Sequence, residues 1–338
     1  MTYAEMRSAA KANLNGTCRV CPVCDGRVCA GEVPGMGGKG TGSSFMANVS
    51  ALAAVKLNMR LVHDAVKPDM SITMFGKKMA MPVFAAPVSG TTLNMGGKFS
   101  EAEYISWIIK GTLEAGVYPM VGDTAIEQFL IDNLAELKKA GGDGIAIIKP
   151  WEAGSVIEKI RLAEDAGAFA VGMDIDAAGL VTLSLHGKGV SPKTVGELRS
   201  IRMATNLPFI LKGVMTPEDA LAAIDAGADA IVVSNHGGRV LDGTPGAADV
   251  LPAIARACKG KIAILADGGV RSGVDVLKMI ALGADAVLFG RPLVVASFGG
   301  KAEGVTLAFD RLRAELESAM ILTGCASVAD ITDRVVFR

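Results

Sequence analysis

The sequence predicts an α/β fold, a (β/α)8 TIM barrel with an N-terminal extension, and three observations carry that prediction. From residue 81 onward, eight short apolar runs alternate with longer segments of helical character, the pattern of repeated βα units around a parallel sheet. Three helix-to-strand junctions, "DAGAFAVGMD", "DAGADAIVVS" and "ALGADAVLFG", share one rhythm in which Gly closes the helix and a strand follows at once. The 338 residues, 50% of them hydrophobic, supply one large core, and no second domain is evident.

In chain order, residues 1–80 read as an extension covering the barrel mouth: a helix near Thr2–Ala12, a cysteine-rich segment, and the glycine-rich stretch "GMGGKGTGSS". That stretch reads as a flexible loop or lid, because no strand precedes it and Gly40 follows Lys39 where a nucleotide loop has Ser or Thr. Residues 81–338 form the barrel, with strands predicted at Val83–Pro87, Val117–Val121, Gly144–Ile148, Phe169–Asp174, Pro208–Lys212, Ala230–Ser234, Ile262–Ala266 and Ala286–Gly290. Between them, a helix over Glu152–Ala166 sets Val156, Ile157, Ile160 and Leu162 on or near one apolar face, and Pro217 opens a helix over Pro217–Ala226.

Thirty-four basic against thirty-five acidic residues leave a net charge of −1, no footprint for nucleic acid or an anionic membrane, and the expected partner is a small molecule. Every apolar run is broken well short of the roughly 20 residues of a membrane span. Met1–Asn13 carries Glu5, Arg7 and Lys11 in place of a signal peptide's apolar core, so a cytoplasmic chain is expected.

A barrel of this type builds its active site at the C-terminal ends of the strands. Lys212 ends the fifth strand in "FILKG", and "SNHGGR" follows the sixth, placing His236 and Arg239 beside two glycines. "ADGGVRSG" and "FGRP" follow the seventh and eighth strands. They supply Gly268, Gly269, Arg271, Gly290 and Arg291, amides and guanidinium groups suited to a phosphate monoester. Of three histidines, only His236 sits between a barrel strand and a glycine pair.

The segments "SNHGGRVLDGTPGAADVLPAIA" and "ILADGGVRSGVDVLKMIALGADAVLFGRPL" resemble the FMN-dependent 2-hydroxy acid dehydrogenase and oxidase family, which includes glycolate and lactate oxidases. The likeness is strongest from Pro208 to Val295 and extends back through "MPVFAAPVSG" and "VGMDID" to Asp69. It implies FMN, and not FAD, held at Ala86, Pro87, Val88, Lys212, Ser234, Asp267, Gly268, Gly269, Arg271, Gly290 and Arg291. It makes His236 the base, Asp174 its orienting partner, Lys212 the cation beside the flavin and Arg239 the anchor of a substrate carboxylate. Asp176, two positions on, competes with Asp174. The implied reaction is oxidation of a small 2-hydroxy acid or related alcohol by a homo-oligomer, a tetramer or octamer. Two rivals are a flavin-dependent isomerase resembling type 2 isopentenyl diphosphate isomerase, which is not expected to carry His-Gly-Gly-Arg, and a non-catalytic ligand or redox sensor.

The substrate side departs from the family pattern. Its two pocket tyrosines and second arginine are missing, Lys149 stands where the tyrosine after the third strand is expected, and a flavin-contacting glutamine is replaced near Ile147. Lys149, Arg27 or His186 are the candidates for the missing polar contacts. Where the family's N-terminal pocket residue falls, this chain has Cys18, Cys21, Cys24 and Cys29. Their C-x2-C-x2-C-x4-C spacing is close to iron–sulfur ligand runs, with a redox thiol pair or plain reduced thiols as the alternatives.

Overall fold

The structure, a computed structural model, describes residues 1–187 and 189–337. Eight parallel strands form the barrel: β1 (Val83–Ala85), β2 (Met120–Gly122), β3 (Ile145–Ile148), β4 (Ala170–Asp174), β5 (Phe209–Val214), β6 (Ala230–Val233), β7 (Ala263–Ala266) and β8 (Ala286–Phe289). Each pairs with its neighbour in sequence, β8 returns to β1, and a parallel bridge between Ala85 and Pro119 joins β1 to β2. The strands carry side chains buried on both faces, which is why the sequence shows continuous apolar runs and not alternation.

All eight runs fall where the sequence places them, with ends displaced by a residue or three. Helix Ala153–Asp165 buries Val156, Ile160 and Ala163, whereas Leu162 is 45% exposed. At 100° per residue, Leu162 stands half a turn from Ile160, and Ala163 occupies the inward position expected of it. The last helical segment, Arg291–Thr323, is broken at Gly300 and Lys301, and its second half packs on helix Glu101–Glu114. Among the described residues no helix is long and apolar enough to cross a membrane.

The N-terminal residues wrap the barrel. Helix Tyr3–Asn13 is opened by a Thr2–Glu5 capping box, and a hairpin of strands Ile72–Met74 and Lys77–Met79 leads into β1. A helix the sequence reading missed, Ser43–Ala54, directly follows the glycine stretch. Its N-cap is Gly42, which has no side chain to offer; Asp242, distant in sequence, takes over. Its carboxylate accepts from Ser43 N (3.1 Å), Ser43 Oγ (2.6 Å), Thr41 N (2.6 Å) and Thr41 Oγ1 (2.8 Å).

The glycine stretch is therefore not a free lid. Gly35, Met36, Gly37 and Gly38 are buried, and the Lys39 amide donates to Gly238 O at 2.8 Å. Hydrogen bonds from Ser43, then from Thr41, hold the Asp242 carboxyl below the usual Asp range. A depressed folded value means that this contribution is complete above the ordinary Asp pKa and is lost as pH falls through the lower folded one. Replacing Asp242 by Ala should speed amide exchange of residues 41–46 at neutral pH by at least roughly 10-fold while the barrel strands keep their protection. Unchanged exchange there would remove Asp242 as the clamp.

Candidate active site

Strands β3, β4 and β5 end on a buried ionic group. The β4–β5 register sets Asp174 opposite Lys212, and Lys149 follows the last residue of β3. Lys149 Nζ donates to Asp174 Oδ2 at 2.6 Å and Lys212 Nζ to Asp174 Oδ1 at 2.9 Å, all three side chains being at most 8% exposed. Burial opposes charge on Asp174, but His236, Lys149 and Lys212 outweigh it and hold its carboxyl well below the ordinary range. Burial likewise opposes charge on Lys212, and Asp174, Asp176 and Asp267 overcome it and raise its pKa. Lys149 is positioned by its own backbone, whose amide donates to Asp123 Oδ2 at 3.2 Å, while Asp123 also takes Trp151 Nε1 and faces Lys159 at 3.5 Å.

The closest partner of His236 is Asp176 and not Asp174. Its Nδ1 lies 2.9 Å from Asp176 Oδ1 and 3.5 Å from Asp174 Oδ1. The reason is local geometry. After β4 the chain turns through a short 3-10 segment, Ile175–Gly179, that carries Asp176 over the mouth. Across from it stands Gly213, at φ 104°, where an added Cβ would sit 2.6 Å from Asp176 Cγ. Asp174 is meanwhile drawn down between the two lysines. Because a carboxylate oxygen can only accept, Nδ1 carries a proton, so in the neutral ring Nε2 is the nitrogen with the lone pair. His236 itself has φ 57°, a left-handed conformation costing about 1–2 kcal/mol for a residue with a Cβ. Its amide donates to Ser234 Oγ at 3.0 Å, which helps hold that geometry.

Arg239, Arg271 and Arg291 all line the cavity. Arg291, expected at a phosphate, donates from Nε to Met36 O (2.9 Å) and from Nη2 to Gly37 O (3.1 Å) and Gly237 O (3.0 Å), and it stacks 3.9 Å over the Phe45 ring. It is a staple between the glycine stretch and the His236 loop. Burial, then Arg239 and Arg271, pull its pKa down to about 9, which leaves it cationic at neutral pH. Arg239 bonds Gly35 O and, at 2.8 Å, Asn94 Oδ1, while lining the cavity. Among the described residues Arg271 keeps a buried nitrogen, Nη2, without a partner.

Ala86, Pro87 and Val88 at the end of β1, with Asp267, Gly268, Gly269 and Gly290, line the same cavity as Lys149, Asp174, Lys212 and His236. Ser234 is buried behind them. Of the three candidates for missing polar contacts only Lys149 reaches the cavity, Arg27 and His186 being exposed. Tyr104 is buried elsewhere with its hydroxyl donating to Val88 O at 3.0 Å. Missed by sequence reasoning were Asn48 and Asn235. Asn48 Nδ2 donates to Asn235 Oδ1 at 2.7 Å, and its Oδ1 accepts from Ala247 N at 3.0 Å, so this buried amide pair fixes the His236 loop to helix Ser43–Ala54. Only the helical spacing around Asn48 could have signalled it.

The four cysteines are brought together in a second cavity beside this one, not in the mouth. Among the described residues the one group of three or more ligand atoms within 4.8 Å of one another is Asp174, Asp176 and His236, so no three of these thiols stand that close.

A family model described as FMN-dependent dehydrogenase matches residues 35–186 and 184–338. L-lactate oxidase of Lacticaseibacillus rhamnosus is 34% identical over 331 residues, 87% of this chain and 86% of that protein. 4-Hydroxymandelate oxidase of Amycolatopsis orientalis is 32% identical over 336 residues, 86% of this chain and 89% of that one. A crystal structure of mandelate oxidase superposes with a TM-score of 0.80 at 31% identity, over 99% of this chain and 97% of the other.

The residues present fit FMN. Arg271 Nη2 and Asp267 Oδ1 are buried without partners, and among the described residues the amides of Gly268 and Gly269 donate to no backbone carbonyl. Donors of that kind suit a phosphate, and an unpaired carboxylate oxygen suits a polyol hydroxyl. Replacing Arg271 by Ala should weaken FMN retention by at least roughly 10-fold, one charge-assisted hydrogen bond's worth, measured by fluorescence of released flavin on dilution. Unaltered affinity would contradict the assignment.

Proposed function

This chain belongs to the FMN-dependent dehydrogenase family, and from that premise we propose that it oxidises a small 2-hydroxy acid, with His236 as the base. The chain is an FMN-dependent oxidoreductase; FMN, when bound, supplies the two-electron acceptor. The observation that carries the reading is one imidazole with its Nδ1 tied to Asp176 at 2.9 Å in a cavity lined by Lys149, Lys212 and Arg239. The curated relatives are named as oxidases and dehydrogenases, which supports this reading over an isomerase or a sensor.

In the proposed reaction Nε2 of His236 takes a proton from the substrate as its carbinol carbon is oxidised. The imidazolium so formed lies beside two carboxylates, Asp176 at 2.9 Å and Asp174 at 3.5 Å, and is stabilised by both. Lys212 and Lys149 offset those two carboxylates, so protonation adds one positive charge to the group, stabilised by the nearness of Asp176 and Asp174. The substrate carboxylate is met by Arg239, through the N–H groups it does not spend on Gly35 and Asn94, and by Lys149. An ammonium in place of a phenol favours a compact acid whose carboxylate can sit between the two cations. The balanced surface charge supports a small-molecule substrate.

His236→Asn is the sharpest test, because Asn tolerates the left-handed backbone and cannot act as a base. Anaerobic flavin reduction by a 2-hydroxy acid should slow by at least roughly 10²-fold with FMN content unchanged. Near-normal reduction would take His236 out of the mechanism. Lys149→Met should raise KM for the acid by roughly 10-fold or more, the scale of one lost charge-assisted contact, and an unchanged KM would return the whole carboxylate site to Arg239.

A further inference from the structure

The cysteine segment is organised by neither secondary structure nor a hydrophobic core. Residues 18–29 contain no helix or strand, and their backbone amides make few hydrogen bonds. Val23 and Val28 are exposed, at 69% and 59%, while Cys18, Cys21, Cys24 and Cys29 are each half-buried. A loop that turns two of its three valines outward and its thiols inward departs from the ordinary hydrophobic order, Val20 alone packing on the core. All four thiols are free and line one cavity of about 850 Å³.

Five arginines line that cavity with Asp25: Arg19 is paired with Glu32 and Arg311 with Glu315 (2.8 Å), which leaves Arg7, Arg271 and Arg291 as its cationic wall. Two of these arginines also hold the loop's shape: Arg7 Nη2 donates to Val20 O (3.0 Å) and Cys21 O (2.6 Å), and Arg271 Nε to Cys24 O (3.3 Å). Clustered guanidinium groups around four thiols call for an anionic occupant, since burying like charges together is otherwise costly.

We propose that Cys18, Cys21, Cys24 and Cys29 are the four ligands of a four-iron iron–sulfur cluster seated in this cavity. The thiolate run C-x2-C-x2-C-x4-C provides the ligand number. Among the described residues no three of these thiols lie within 4.8 Å of one another, and the irons of a polynuclear core would stand between them. Four thiolates on such a core carry net negative charge, which the arginines neutralise. Met36, Arg271 and Arg291 line both this cavity and the barrel mouth, so the cluster lies directly beside the cofactor cavity.

The test is the metal content of the full chain, purified anaerobically and reconstituted with ferrous iron and sulfide. About four iron and four acid-labile sulfide per chain are expected, with an electron paramagnetic resonance signal after dithionite reduction. Cys21→Ser/Cys24→Ser should lose at least nine-tenths of both while retaining FMN, and Cys258→Ser, altered at a buried thiol in helix Ala247–Cys258, should keep both. FMN retention reports folding and the flavin assignment separately from the cluster. Iron-free wild-type protein after reconstitution, tightly held stoichiometric zinc, or a Cys21–Cys24 disulfide in metal-free protein would each overturn the proposal, and none of these needs a variant to fold.

Discussion

The site is organised around one buried carboxylate. Asp174, held by Lys149 at 2.6 Å and Lys212 at 2.9 Å, is the anion that lets two lysines stand at the base of the mouth without repelling each other. Removing Asp174 would leave two buried ammonium groups without their shared anion, a cost of about 3–5 kcal/mol, whereas removing Lys149 would leave the Asp174–Lys212 pair. The barrel makes this possible because adjacent parallel strands in register bring consecutive strand ends side by side. With Asp174 occupied, the imidazole of His236 is oriented by a different acid, Asp176, and the base and the cation pair are held by separate bonds.

A second constraint comes from the extension. Arg291 and Arg239 reach from the barrel loops to the carbonyls of Gly35, Met36 and Gly37, and Asp242 caps the helix that follows. Asn48 and Asn235 complete the same attachment. The glycines there are selected for close backbone approach: a Cβ on Gly268 would lie 2.6 Å from Asn48 Oδ1. The wall of the cavity is thus built from both ends of the chain, and the conformation of the His236 loop depends on residues nearly two hundred positions away.

What could be read from the sequence follows from this. The eight strands were legible because their signals are local: an apolar run, a glycine closing the preceding helix, a polar residue at the strand end. Lys149, Asp174, Lys212 and His236 were visible for the same reason. Asp176 was placed second because strand-end counting favours Asp174, and nothing in the spacing shows that two lysines would claim that carboxylate. The bonds of Arg291 to Met36, Gly37 and Gly237 were not legible, because those partners belong to other segments. Helix Ser43–Ala54 was hidden because its cap is Asp242, remote in sequence. Pairings of this range leave no periodic trace.

The most direct measurement of the account is the visible spectrum of purified protein titrated anaerobically with a series of 2-hydroxy acids of increasing side-chain size. The account predicts one releasable FMN per chain and bleaching of its absorbance by at least one member of the series, with the oxidised form restored when an electron acceptor is added. A chain that binds no FMN after reconstitution, or one whose bound FMN no hydroxy acid bleaches, would contradict it.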